Sequence, residues 1–125
     1  LLIYAKRMID QGSWSQAEKA LKKAHQIRIE DIDVLSHLGW VQYNVDKSQT
    51  GEALESLQLA LHLDSSHLDT LVFLSKIYVE KEEYESAIVF LRKATKLTPN
   101  PEIQELRKLV EAEIKILERN RKDGV

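Results

Sequence analysis

The residues of this chain best suited to chemistry are four histidines, His25, His37, His62 and His67, and two acidic clusters, Glu30-Asp31-Asp33 and Glu80-Lys81-Glu82-Glu83. A metal held from one helical face needs ligands at i and i+4. His62 and His67 are five apart and miss that spacing. There is no His-Glu-x-x-His and no glycine-rich phosphate loop. The acidic clusters fall where helices should end, and they read as solvated turns and caps. No acid and base come together at a spacing that suggests a pocket. The sequence therefore predicts no catalytic residue, no metal ligand, no cofactor and no enzyme. With no cysteine, disulfides and thiolate metal sites are excluded. Lys19, Lys22, Lys23, His25 and Arg28 make a local basic face, read as solvated.

Charge and hydropathy exclude two further classes. The formal net charge of -2 lacks the basic excess of a general nucleic-acid binder. No apolar run reaches the ~18–20 residues of a membrane span. Leu, Ala, Glu and Lys dominate, with only two prolines and four glycines to interrupt helices.

The elements themselves repeat. Small residues recur in pairs: Ala17 and Ala24, Ala53 and Ala60, Ala87 and Ala94. Each pair is seven residues apart, two helical turns, and so shares a face. Ala17 to Ala53 is 36 residues and Ala53 to Ala87 is 34. A small residue also sits in each preceding helix: Ala5, Gly39 and Ser75. Small side chains let two helices approach closely. The third unit reads Leu71-x2-Leu74-Ser75-x2-Tyr78, then Ala87-x3-Leu91, Ala94 and Pro99. The second reads Leu35-x2-Leu38-Gly39-x2-Gln42, then Ala53-x3-Leu57 and Ala60. The first reads Leu1-x2-Tyr4-Ala5-x2-Met8, then Trp14, Ala17-x3-Leu21 and Ala24. Three such units in phase resemble the tetratricopeptide repeat (TPR) family.

The resemblance covers roughly residues 1–100 and implies an all-α fold: a TPR-type alpha-alpha superhelix, a right-handed solenoid of three helix pairs plus a C-terminal helix. Repeats are placed at about 1–31, 32–67 and 68–100, a capping helix at 101–120 and a polar tail at 121–125. Helices are expected at about 1–11, 14–28, 32–45, 51–63, 67–81, 84–97 and 101–120. Ser13 with Gln16, Asp31, and Asn100 with Pro101 are the expected caps. The second unit carries two extra residues in its turn near Asp46–Gly51. No initiating Met precedes Leu1, and the first helix lacks its opening residues, so a fragment of a longer protein is expected.

The family places the first helix of each pair along a concave groove that holds a peptide or helix of another protein. Helical periodicity maps that face to three stripes. The first carries Leu2, Lys6 and Ile9, the second Asp33, His37, Trp40, Tyr43 and Asn44, and the third Asp69, Val72, Phe73, Lys76 and Val79. The middle stripe places two aromatic rings one turn apart. One reading packs these side chains against each other or under the C-terminal helix; the other makes Trp40, Tyr43 and Phe73 anchors rimmed by Lys6, Lys76, Asp33 and Asp69. A TPR subclass clamps the C-terminal carboxylate of chaperones with Lys, Asn and Arg. The matching positions here are Leu2, Lys6, His37, Asp69 and Phe73, so that clamp is absent.

The last helix carries a stripe of Ile103, Leu106, Val110, Ile114 and Leu117, enough to cap a solenoid. Leu109, Ala112 and Ile116 widen its apolar arc to about 160° and form a candidate second surface. The expected function is a protein-interaction module. Alternatives are a scaffold or homo-oligomer joined through the edge repeat or last helix, and a regulatory domain fused to an enzyme elsewhere.

Overall fold

The computed structural model describes residues 1–124, and every regular element in them is a helix. The α-helices are α1 (Leu2–Asp10), α2 (Trp14–Ile27), α3 (Ile32–Val45), α4 (Thr50–Leu63), α5 (Leu68–Glu80), α6 (Tyr84–Leu97) and α7 (Pro101–Asp123). One 3-10 turn, Lys47–Gln49, precedes α4. These bounds lie within a few residues of those expected from the repeat. The chain divides into two compact units, Leu1–Thr70 and Leu71–Val125.

In the first unit, α1 packs on α2, α2 on α3, and α3 on α4. The small residues sit where the helices meet: Ala5, Ala17, Ala53 and Ala60 are fully buried. Met8, Leu21, Val34, Leu38 and Val41 fill the space around the first three helices. In the second unit α7 packs on α6, and Leu74, Ser75, Ala87, Leu91 and Ala94 are buried completely. Tyr78 stacks on Phe90 at 5.8 Å between centroids, which joins α5 to α6.

The turns explain where helices stop. At the end of α1, Gly12 N–H donates to the Ile9 carbonyl and Ser13 N–H to the Met8 carbonyl, at 2.9 and 2.8 Å. This is a Schellman closure, and Gly12 takes the left-handed φ of 73° that it requires. The same closure ends α5, with Glu82 N–H on Val79 and Glu83 N–H on Tyr78. Here the left-handed residue is Glu82, at φ 59°. A side chain in that conformation costs about 1–2 kcal/mol relative to glycine. The two extra residues of the second repeat are taken up in the three-residue 3-10 turn, started by Asp46 Oδ1 accepting from Ser48 N–H at 2.9 Å.

Caps divide into two groups. Asp31 accepts from Val34 N–H at 3.2 Å, and Asn100 from Glu102 and Ile103 N–H, as expected. Ser13 makes no side-chain cap bond, contrary to expectation. The Schellman closure fixes its backbone at φ -86°, ψ 67°, outside the extended conformation of a capping serine. The last helix runs to Asp123, three residues past its expected end at 120. No glycine or proline intervenes before Gly124, and Arg121 and Lys122 suit the negative end of the helix dipole. Of the expected tail at 121–125, Val125 lies outside the described residues.

Candidate functional site

The first turn of α3 gathers the polar groups of the first unit. Asp33 lies just inside the helix, where a carboxylate favours the dipole. Its backbone carbonyl accepts from Ser36 Oγ at 3.1 Å and from His37 Nδ1–H at 2.7 Å. Its side chain accepts from His67 Nε2–H at 2.7 Å, across 34 residues. The other ring nitrogen of His67 accepts from the Thr70 hydroxyl at 2.7 Å and, more weakly, from Thr70 N–H at 3.4 Å. His67 therefore caps α5 and ties its start to the start of α3. Oxygen and nitrogen atoms of Asp33, His67 and Asp69 lie within 4.8 Å of one another. Two helix N-termini repel a cation at that place, and the hydrogen bonds already account for the grouping.

His37 is 6% exposed. Burial holds its pKa below the usual imidazole value, opposed by the hydrogen bond to Asp33 and the charge of Asp69. Lys6 lowers it further, and the Asp33 carboxylate raises it. The folded state thus binds the proton less tightly than the unfolded chain. The sign follows: stability is complete above the unfolded pKa and is lost as pH falls through it toward the folded value. The expected result is a melting temperature that drops between about pH 7 and pH 5. His37→Asn, which keeps a donor for the Asp33 carbonyl, should shrink that drop. An equal drop in both proteins would remove His37 as its cause.

One turn along, Trp40 and Tyr43 stack at 6.1 Å with 27° between their planes. The Lys47 ammonium sits 3.5 Å from the centre of the Tyr43 ring, a cation–π contact. Asn44 donates its side-chain amide to the Trp40 carbonyl at 2.8 Å. Tyr43 is only 4% exposed, whereas Trp40 is half-buried. Tyr43 thus braces Trp40 from below, and Trp40 offers the accessible ring.

The remaining sequence-predicted residues divide by burial. Leu2 and Ile9 pack against the core of the first unit, and Lys6 is exposed. Asp69 is half-buried. In the second unit, Val72, Phe73 and Val79 are half-buried and Lys76 is exposed. On α7, Leu109 and Ile116 are 57% and 46% exposed, and Ala112 is exposed beside them. The Asp33–His67–Thr70 network was not foreseen. Its signal was the 34-residue interval, one repeat length, between two polar residues at helix starts.

Paired helices, meeting at small residues in a fixed phase and carrying a half-open aromatic face, define a helical-repeat protein. The chain belongs to the tetratricopeptide repeat family, whose sequence model matches residues 44–110. Repeats of this family generally mediate contact between proteins, and such modules are typically non-catalytic. No curated protein matches the chain. Among the described residues no helix is long and apolar enough to cross a membrane.

Proposed function

We propose that the chain docks a peptide or helix of a partner protein along the first-helix faces, with Trp40 as the apolar anchor. The observation that supports this most is the state of that ring. It is half-exposed, yet it is stacked on a buried tyrosine whose ring also holds the Lys47 ammonium. A ring so held loses little freedom on binding, which favours affinity. Lys6 and Asp33 supply a charged rim in the first unit. On α5, Asp69 with Val72, Phe73, Lys76 and Val79 carry the same helical register and are tested separately, by Phe73→Ala.

The expected result of Trp40→Ala is a loss of about 2 kcal/mol or more in partner binding, measured by calorimetry with a partner recovered by pull-down. The fold should suffer less than from Leu57→Ala, where a fully buried side chain is worth about 2–5 kcal/mol. If Trp40→Ala melts the protein as badly as Leu57→Ala, the ring is core and the reading fails. Lys6→Glu should mainly slow association and change its salt dependence. A second reading, self-association, draws on the exposed Leu109, Ala112 and Ile116 of α7. Light scattering over a concentration series separates it, because a scaffold grows with no partner present.

A further inference from the structure

The turn between the two helices of a pair leaves a notch beside the helix that follows. In the first unit this notch is lined by Gly12, Ser13, Trp14, Ser15 and Gln16 on one side and by Asn44 and Val45 on the other. Seventy residues later, in the second unit, the same notch recurs with a different lining. Glu82, Glu83, Tyr84, Glu85 and Ser86 replace the first side, and Ile114 stands where Asn44 stood. Because α7 continues to Asp123, Leu117, Glu118 and Arg121 extend the wall. The result is a cleft of about 350 Å³ with an apolar floor and a rim of four carboxylates against one guanidinium.

The fold does not require this chemistry, since Gly-Ser-Trp-Ser-Gln serves in the first notch. It also runs against stability. Glu82 occupies the left-handed position that Gly12 fills without strain. Glu83 has Lys81 at 3.6 Å, but Glu82, Glu85 and Glu118 form no ion pair among the described residues. Burial, and then the charges of Glu82 and Glu113, raise the pKa of the Tyr84 phenol at the start of α6. Clustered like charges over an apolar floor complement a cation on an aliphatic stem.

We propose that this notch, between the start of α6 and the end of α7, is a second docking site, for a basic amphipathic segment of another protein. Such a segment lays a leucine-type side chain on Ile114 and Leu117. Its flanking arginine or lysine heads reach Glu82, Glu85 and Glu118.

The test uses the full chain and three labelled synthetic peptides: a leucine–arginine amphipathic helix, its glutamate-for-arginine twin, and its serine-for-leucine twin. Fluorescence anisotropy should show saturable binding of the first alone. Amide shifts should centre on residues 82–86 and 114–121. E82Q/E85Q/E118Q should weaken binding by about tenfold or more. E30Q/E52Q/E55Q, which removes the same charge from the first unit, should change it by less than about twofold. E82G should bind more weakly while melting no lower than the parent, because glycine relieves the strain. R121A should bind more tightly. The proposal is overturned if both triple variants weaken binding equally, or if the serine twin binds as well as the leucine peptide. It is also overturned if the parent forms a salt-sensitive dimer that E82Q/E85Q/E118Q abolishes, since the occupant would then be a second copy.

Discussion

Removing residues 101–125 is expected to leave a protein that aggregates and no longer unfolds in one cooperative step. The reason lies in what α7 covers. Its Ile103 and Val110 are buried, and Leu106 and Ile114 are half-buried. A fully buried aliphatic side chain contributes about 1.5–3 kcal/mol. Two full and two partial burials come to roughly 5–9 kcal/mol, against a total domain stability of about 5–15 kcal/mol. The loss also uncovers α6, on which α7 packs within the second unit. Terminal units of repeat proteins need a polar outer face for this reason. The ion pairs of Glu111 with Arg107 and Arg92, at 3.2 and 3.7 Å, are partly exposed and add little. Urea unfolding and light scattering read the outcome. Val110→Asp should reproduce the loss in the intact chain, so a failure caused by the truncation itself is recognisable. If the shortened protein stays monomeric and equally stable, α7 is a free arm, and the cap assignment is wrong.

The elements were legible because their signals were redundant. Each helix carries an apolar face, and each close contact carries a small residue, so Ala17, Ala53 and Ala87 set the phase without help from the turns. Asp31 and Asn100 cap as their types suggest, because each enters its helix from extended backbone. Ser13 did not, because the preceding closure dictates its dihedrals. Glu82 shows the same limit from the other side. Its type gives no hint of a left-handed conformation; only alignment with Gly12, seventy residues earlier, reveals it.

The site was legible in part. Periodicity located the face that holds Trp40 and Tyr43, but it could not say which ring lies beneath the other. That depends on the stacking and on Lys47, which comes from the turn after α3 and lies outside any helical pattern. Likewise periodicity put His37 on the groove stripe, and spacing removed His67 only as a metal ligand; neither gave the role each has in the fold. One is buried on its own helix, and the other joins two helix starts through Asp33. Both depend on contacts between elements, which spacing within one helix does not encode.

The small-residue phase itself predicts opposite outcomes for one substitution at two glycines. In an open helical position, Gly→Ala stabilises by up to about 1 kcal/mol, since alanine restricts the unfolded chain. Gly51, near the start of α4, is open: a Cβ there would meet nothing within 4 Å. Gly51→Ala should therefore raise the melting temperature. Gly39, on α3, is closed. A Cβ would stand 2.9 Å from Leu57 Cγ and 3.0 Å from the Ala53 carbonyl oxygen. The Ala53 carbonyl is backbone, and Leu57 is fully buried. The helices must separate, and overpacking of this kind costs about 1–3 kcal/mol, more than the propensity gain. Gly39→Ala should lower the melting temperature. Ala53→Leu adds three carbons at the same crossing, where no surface is exposed, and should fall at or beyond the upper end of that range. Calorimetric melting of the three variants reads the signs directly. A stabilised Gly39→Ala would mean that α3 and α4 do not meet at this pair, and the phase drawn from the small residues would be wrong in the first unit.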